Sequence, residues 1–110
     1  VKAVLNTGAL VKTIAEARLA GADTEKLAYF FHWILAEEIT VACQKAGKES
    51  GRGTAALSGG VFQNQLLLKM VDEGLQKESF KVLRHRLVPP NDGGIALGQA
   101  VYAMNNSLSV

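Results

Sequence analysis

The chain carries a single cysteine, Cys43, among its 110 residues, which excludes an internal disulfide. Apolar neighbours around Cys43 read as an inert thiol in a reducing compartment. Long hydrophobic runs are also missing. The longest, Leu27 to Ala36, is ten residues and contains His32, whereas a membrane-spanning helix needs about 20. No basic, apolar and small-residue signal segment opens the chain. Neither sign of charge dominates: twelve Lys+Arg against ten Asp+Glu leave +2. That balance argues against a nucleic-acid-coating protein and against a polybasic membrane anchor, so neither nucleic acid nor membrane is an expected partner. There is no internal repeat and no low-complexity tract. Val1 stands where an initiating Met would, and reads as a piece of a longer protein.

What is present is a globular mixture of 48% hydrophobic and 20% charged residues, of a length expected for one domain. Val4, Leu5, Leu10, Val11, Ile14 and Leu19 recur at loosely helical spacing. Gly21-Ala22-Asp23 breaks that pattern, and Asp23 or Thr24 can cap a second helix. That helix is expected from about Glu25 to Ala46, with Leu27, Phe30, Phe31, Ile34, Leu35, Val41 and Ala42 in one wide arc. Gly47 to Gly53 reads as a loop by composition. Thr54 to Leu57 reads as a buried strand ending in the turn Ser58-Gly59-Gly60. A helix over Asn64 to Lys77 follows, with Leu67, Met70, Val71 and Leu75 on one face. Phe80 to His85 is β-prone and is ended by Pro89 to Gly94, before a last helix from Ile95 to Met104.

Strand, glycine turn, helix and strand predict a parallel, right-handed βαβ unit from about 54 to 85. Both strands then release the chain at one edge of the sheet, about 4.8 Å apart, so Ser58-Gly59-Gly60 and Val88 to Gly94 can face one ligand. Glycines before a helix let backbone N–H groups approach a phosphate, although many such turns use Gly only for its φ freedom. The two familiar nucleotide fingerprints are absent: no Gly-Lys-Ser/Thr follows a glycine loop, and Gly51-Arg52-Gly53 precedes the strand. Asp92, before Gly93-Gly94 and an apolar helix, reads most simply as an N-cap. A carboxylate there also suits a hard cation that bridges phosphates. His32 reads as a packed structural histidine, since no second ligand stands at metal spacing. Glu38, near the middle of the long helix's apolar arc, calls for a basic partner or a further part of the protein. Arg84-His85-Arg86 reads as solvated charge rather than an anion site. Cys43 has no support as a nucleophile, and spacing alone reveals no Ser/His/Asp arrangement.

Taken together the two loops are more specific. Leu57-Ser58-Gly59-Gly60-Val61-Phe62-Gln63-Asn64, followed by Val88-Pro89-Pro90-Asn91-Asp92-Gly93-Gly94-Ile95-Ala96-Leu97-Gly98-Gln99-Ala100, closely resembles the C-terminal part of the HypF family of hydrogenase-maturation carbamoyltransferases. Phe31-His32 and Leu83-Arg84-His85-Arg86 are similar to that family as well. The Gly-Gly-Val-x-x-Asn turn is shared with tRNA threonylcarbamoyladenosine transferases and antibiotic O-carbamoyltransferases, whereas the Phe-Gln-Asn and Pro-Pro-Asn-Asp-Gly-Gly wording favours HypF.

The resemblance implies an α/β fold, the C-terminal part of an actin-like, Hsp70-like (ribonuclease H-like) nucleotide-binding domain, with residues 1–110 as one partial domain. It implies a cytoplasmic enzyme that uses ATP to turn carbamoyl phosphate into a carbamoyl-adenylate and passes the carbamoyl group to the C-terminal cysteine of HypE. By resemblance, Ser58, Gly59 and Gly60 form the turn facing the nucleotide, and Asn64 is the amide contacting the adenylate. Asp92 is a ligand of a divalent metal, Mg, Fe or Zn. The family's His-x-x-x-His metal pair is absent: Ala36 lies four residues after His32, and Pro89 four after His85. The other HypF domains are expected partners. This chain alone is expected to be inactive, one wall of an active site whose catalytic residues stay unassigned. The alternatives are a tRNA threonylcarbamoyladenosine transferase relative and a non-catalytic nucleotide-binding or interaction module.

Overall fold

A computed structural model describes residues 5–106. Helix α1, Thr7–Leu19, starts where Asn6 Oδ1 accepts the Ala9 N–H at 3.0 Å. Val4, the first residue of the expected pattern, lies outside the described residues. Helix α2, Thr24–Ser50, is capped by Asp23, whose carboxylate accepts the Glu25 N–H at 2.9 Å. It runs past the expected end at Ala46, because the residue able to terminate it is Gly51. There φ is +72°, and the Gly51 N–H reaches back to the Gly47 carbonyl at 2.8 Å. The glycine-rich stretch 47–53 is therefore mostly the helix's last turn and its cap.

Strand β1, Thr54–Leu57, leads into a 3₁₀ turn over Gly60–Gln63, helix α3 over Gln65–Lys77 and strand β2 over Lys81–Arg84. The two strands pair in parallel, Thr54 against Lys81 through Leu57 against Arg84, as expected. A second 3₁₀ turn, Asp92–Gly94, opens helix α4, Ile95–Asn106.

The core lies where α2 and α3 meet the sheet. Leu67, Val71 and Leu75, at i, i+4 and i+8, form one buried stripe on α3 and meet Ala36 of α2 and Leu57 of β1. The wide arc expected on α2 needs correction. Its deepest residues are the small Ala36 and Thr40, whereas Phe30 and Val41 are each 41% exposed. Small side chains sit deepest because α3 approaches α2 closely at Gly74: a Cβ there would lie 2.8 Å from Thr40 Oγ1.

Helix α4 takes no part in this core. It buries nothing, and Ile95, Leu97, Val101, Tyr102 and Met104 are all about half exposed or more. The radius of gyration, 17.6 Å, accordingly exceeds the ~13 Å of a compact chain of this length. Among the described residues no helix is long and apolar enough to cross a membrane.

Candidate functional site at the carboxyl edge of the strand pair

The two strand-end loops touch. The Gly59 N–H donates to the Pro90 carbonyl at 2.9 Å, which ties the turn after β1 to the loop after β2. Gly59 has φ +103°, a conformation that L side chains rarely adopt, so any other residue here would strain the turn that makes the contact. Because the Gly59 N–H serves this contact, the N–H groups that the following 3₁₀ turn leaves without an internal carbonyl are those of Gly60 and Val61.

Side chains add two further ties. Ser58 Oγ lies 2.8 Å from His85 Nε2. This pair continues the strand register by one step, since Leu57 stands opposite Arg84. Asn64 caps α3, its Oδ1 accepting the Leu67 N–H at 3.1 Å, while its Nδ2 lies 2.7 Å from His32 Nε2 on α2. His32 thus makes structural hydrogen bonds, as expected, but it bonds to one of the expected site residues. Neither tie is visible from local sequence. Register would have revealed the Ser58–His85 pair, and no local signal marks the one between α2 and Asn64.

Asp92 does not cap the last helix. Asn91 caps the 3₁₀ turn that leads into it, its backbone extended and its Oδ1 accepting the Gly93 N–H at 2.9 Å. Asp92 is already the first residue of the 3₁₀ turn. Among the described residues its carboxylate has no hydrogen bond or ion pair, and it is exposed. Nor is Arg84 simply solvated: it pairs with Asp72 of α3 at 3.1 Å, against a carboxylate side chain only 14% exposed. With His85, Gln63 and Pro90, Arg84 lines a cleft of about 310 Å³ beside the turn. Glu38 is exposed beside a groove between α1 and α2, with no basic partner among the described residues. Burial pushes the Cys43 thiol up from its ordinary pKa.

Among the described residues no three His, Cys, Asp or Glu side chains come together as a metal site. Asp92 is therefore not part of any group of three such side chains among the described residues.

A parallel βαβ pair with its loops joined at the carboxyl edge defines an α/β subdomain; in open α/β sheets that edge is where ligands generally bind. Residues 1–99 match the family described as "Carbamoyltransferase, Kae1-like Domain, second subdomain". The chain belongs to this HypF carbamoyltransferase family. It is 32% identical over 104 residues to the probable carbamoyltransferase HypF of Methanocaldococcus jannaschii, covering 94% of this chain and 14% of that protein. It is 34% identical over 106 residues to carbamoyltransferase HypF of Rhizobium leguminosarum bv. viciae, covering 92% and 14%. The chain thus spans about a seventh of these relatives' length. A crystal structure of full-length HypF in the phosphate- and nucleotide-bound form superposes with a TM-score of 0.82 at 36% identity, over 84% of this chain and 12% of that one. HypF of T. kodakarensis gives 0.73 at 30% identity, over 86% and 13%.

Proposed function

We propose that this chain forms one wall of the nucleotide site of an ATP-dependent carbamoyltransferase. In the intact enzyme, carbamoyl phosphate and ATP give a carbamoyl-adenylate with release of phosphate and pyrophosphate, and the carbamoyl group then passes to the C-terminal cysteine thiol of HypE in the cytoplasm as AMP leaves and the thiol gives up its proton. The observation that carries this reading is the Gly59 N–H to Pro90 carbonyl bond at 2.9 Å, because it makes one surface of two loops. On that surface Gly60 and Val61 offer backbone donors to anionic oxygens, and Ser58 and Asn64 offer polar side chains. Asp92 supplies a free carboxylate to a divalent ion, Mg, Fe or Zn, whose other ligands come from the remaining HypF domains. Such an ion would offset charge on the phosphates. The nucleotide named for the solved HypF neighbour supports the same ligand class.

Asp92→Asn in an intact enzyme carrying this chain tests the assignment. Asn91, not Asp92, makes the cap of the 3₁₀ turn, so the melting temperature should stay within about a degree of wild type, as for an exposed substitution. Carbamoyl transfer should fall at least about tenfold with loss of bound metal. Asn64→Ala should instead weaken nucleotide binding with metal retained. Near-normal transfer and full metal content in Asp92→Asn would remove Asp92 from the site.

A further inference from the structure

The amide of Asn64 is held at both ends, and the order in which its bonds are made fixes a histidine. Asn64 Oδ1 accepts the Leu67 N–H at the start of α3, which turns the NH₂ group toward α2. An NH₂ group only donates, so His32 Nε2, 2.7 Å away, must accept and carry no proton. The other ring nitrogen, Nδ1, lies 2.7 Å from the Ala28 carbonyl of the preceding helical turn. A carbonyl only accepts, so the single ring proton sits on Nδ1. Leu67, Asn64, His32 and Ala28 thus form a chain of hydrogen bonds in which each link determines the next. It joins α2 to the glycine turn across 32 residues of sequence. On its other side the turn is held by the Pro90 loop and by His85.

We propose that His32 is a positioning residue for nucleotide binding. Through Nε2 it fixes the amide of Asn64 so that the second N–H, which has no partner among the described residues, is presented at the turn. This rests on the reading of Asn64 as a nucleotide contact. The cap of α3 requires only Oδ1, so the bond to His32 contributes something the helix does not need. Losing it leaves the amide held by the Oδ1 cap alone, so its NH₂ end is positioned less tightly while the fold is kept.

Two measurements test this. In the 110-residue chain, two-bond ¹⁵N–¹H correlations at neutral pH should show the His32 proton on Nδ1; a proton on Nε2 of the neutral ring would overturn the assignment. In an intact HypF-family enzyme carrying this chain, His32→Phe keeps the ring and removes the acceptor. It should raise KM for ATP about fivefold, the worth of one hydrogen bond, with kcat changed less. His32→Gln places an acceptor where Nε2 was and should restore KM to within about twofold, as isosteric exchange of a single partner allows. His32→Asn reaches only the Nδ1 place and should behave as His32→Phe, which decides the matter if the Phe variant fails to fold. Asn64→Ala should raise KM at least as much, and adding His32→Phe to it should change nothing further, because both act through one contact. Wild-type KM in His32→Phe beside a raised KM in Asn64→Ala overturns the positioning role alone. Wild-type KM in Asn64→Ala overturns the nucleotide contact, and the role of His32 with it.

Discussion

Cys43 packs against the core cluster from α2, and burial raises its thiol pKa. The thiolate is the reactive form, so alkylation at pH 8 should be slower than that of a free cysteine. The same shift has a consequence for stability. A group whose folded pKa lies above its unfolded value contributes stability that is full below the unfolded pKa, near 8.5 for a thiol, and is lost as pH rises through the folded value. Wild type should therefore lose melting temperature faster than Cys43→Ala above about pH 8.5; parallel curves would show that the thiol carries no such linkage. The packing of this cysteine against the core was legible in its apolar neighbours. The cap at the last loop was not, because Asn91 and Asp92 cap about equally well and only the backbone decides between them. Asn91 takes the extended conformation at φ −99° and ψ −169°, which leaves Asp92 free. Ser58 and His85, 27 residues apart, meet only once strand register is known.

Between elements, the contact of α2 with α3 sets the sharpest constraint. Replacing an interior helical Gly by Ala ordinarily stabilises by about 1 kcal/mol. At Gly74 the added Cβ would stand 2.8 Å from Thr40 Oγ1, itself held to the Ala36 carbonyl at 2.9 Å. Overpacking of this kind costs roughly 1–3 kcal/mol, so Gly74→Ala should lower the melting temperature. Thr40→Ala should recover most of that loss when the two are combined, a coupling readable in a double-mutant cycle. A stabilised Gly74→Ala single variant would show that the helices can move apart freely. The elements themselves were largely legible: the stripe of Leu67, Val71 and Leu75, the glycine-bounded β1 and the β-prone run that becomes β2 follow from period and punctuation. The depth of Ala36 and Thr40 was not, because close helix contact selects small residues that hydrophobicity patterns rank low.

For the whole molecule, one wall of a cleft should bind its ligand poorly. The chain alone should bind a non-hydrolysable ATP analogue with a dissociation constant well above about 1 μM, or roughly −8 kcal/mol; tighter binding in calorimetry would show that no opposing lobe is needed. The expected carbamoyltransferase family is the one to which the chain belongs, because the paired loops Leu57–Asn64 and Val88–Ala100 carry its wording. Shape was less legible than family, since apolar residues at helical spacing in α4 read the same whether or not anything covers them. That exposure bears on digestion by proteases. Helix α4 buries no residue, so unwinding it removes nothing from the core, and a lone helix of this length is marginal in water. Chymotrypsin should cut first near Leu97 and Tyr102, whereas trypsin finds no Lys or Arg after Arg86. What survives should keep both strands and α3, with trimming halted near Pro90, where the loop is bonded to Gly59.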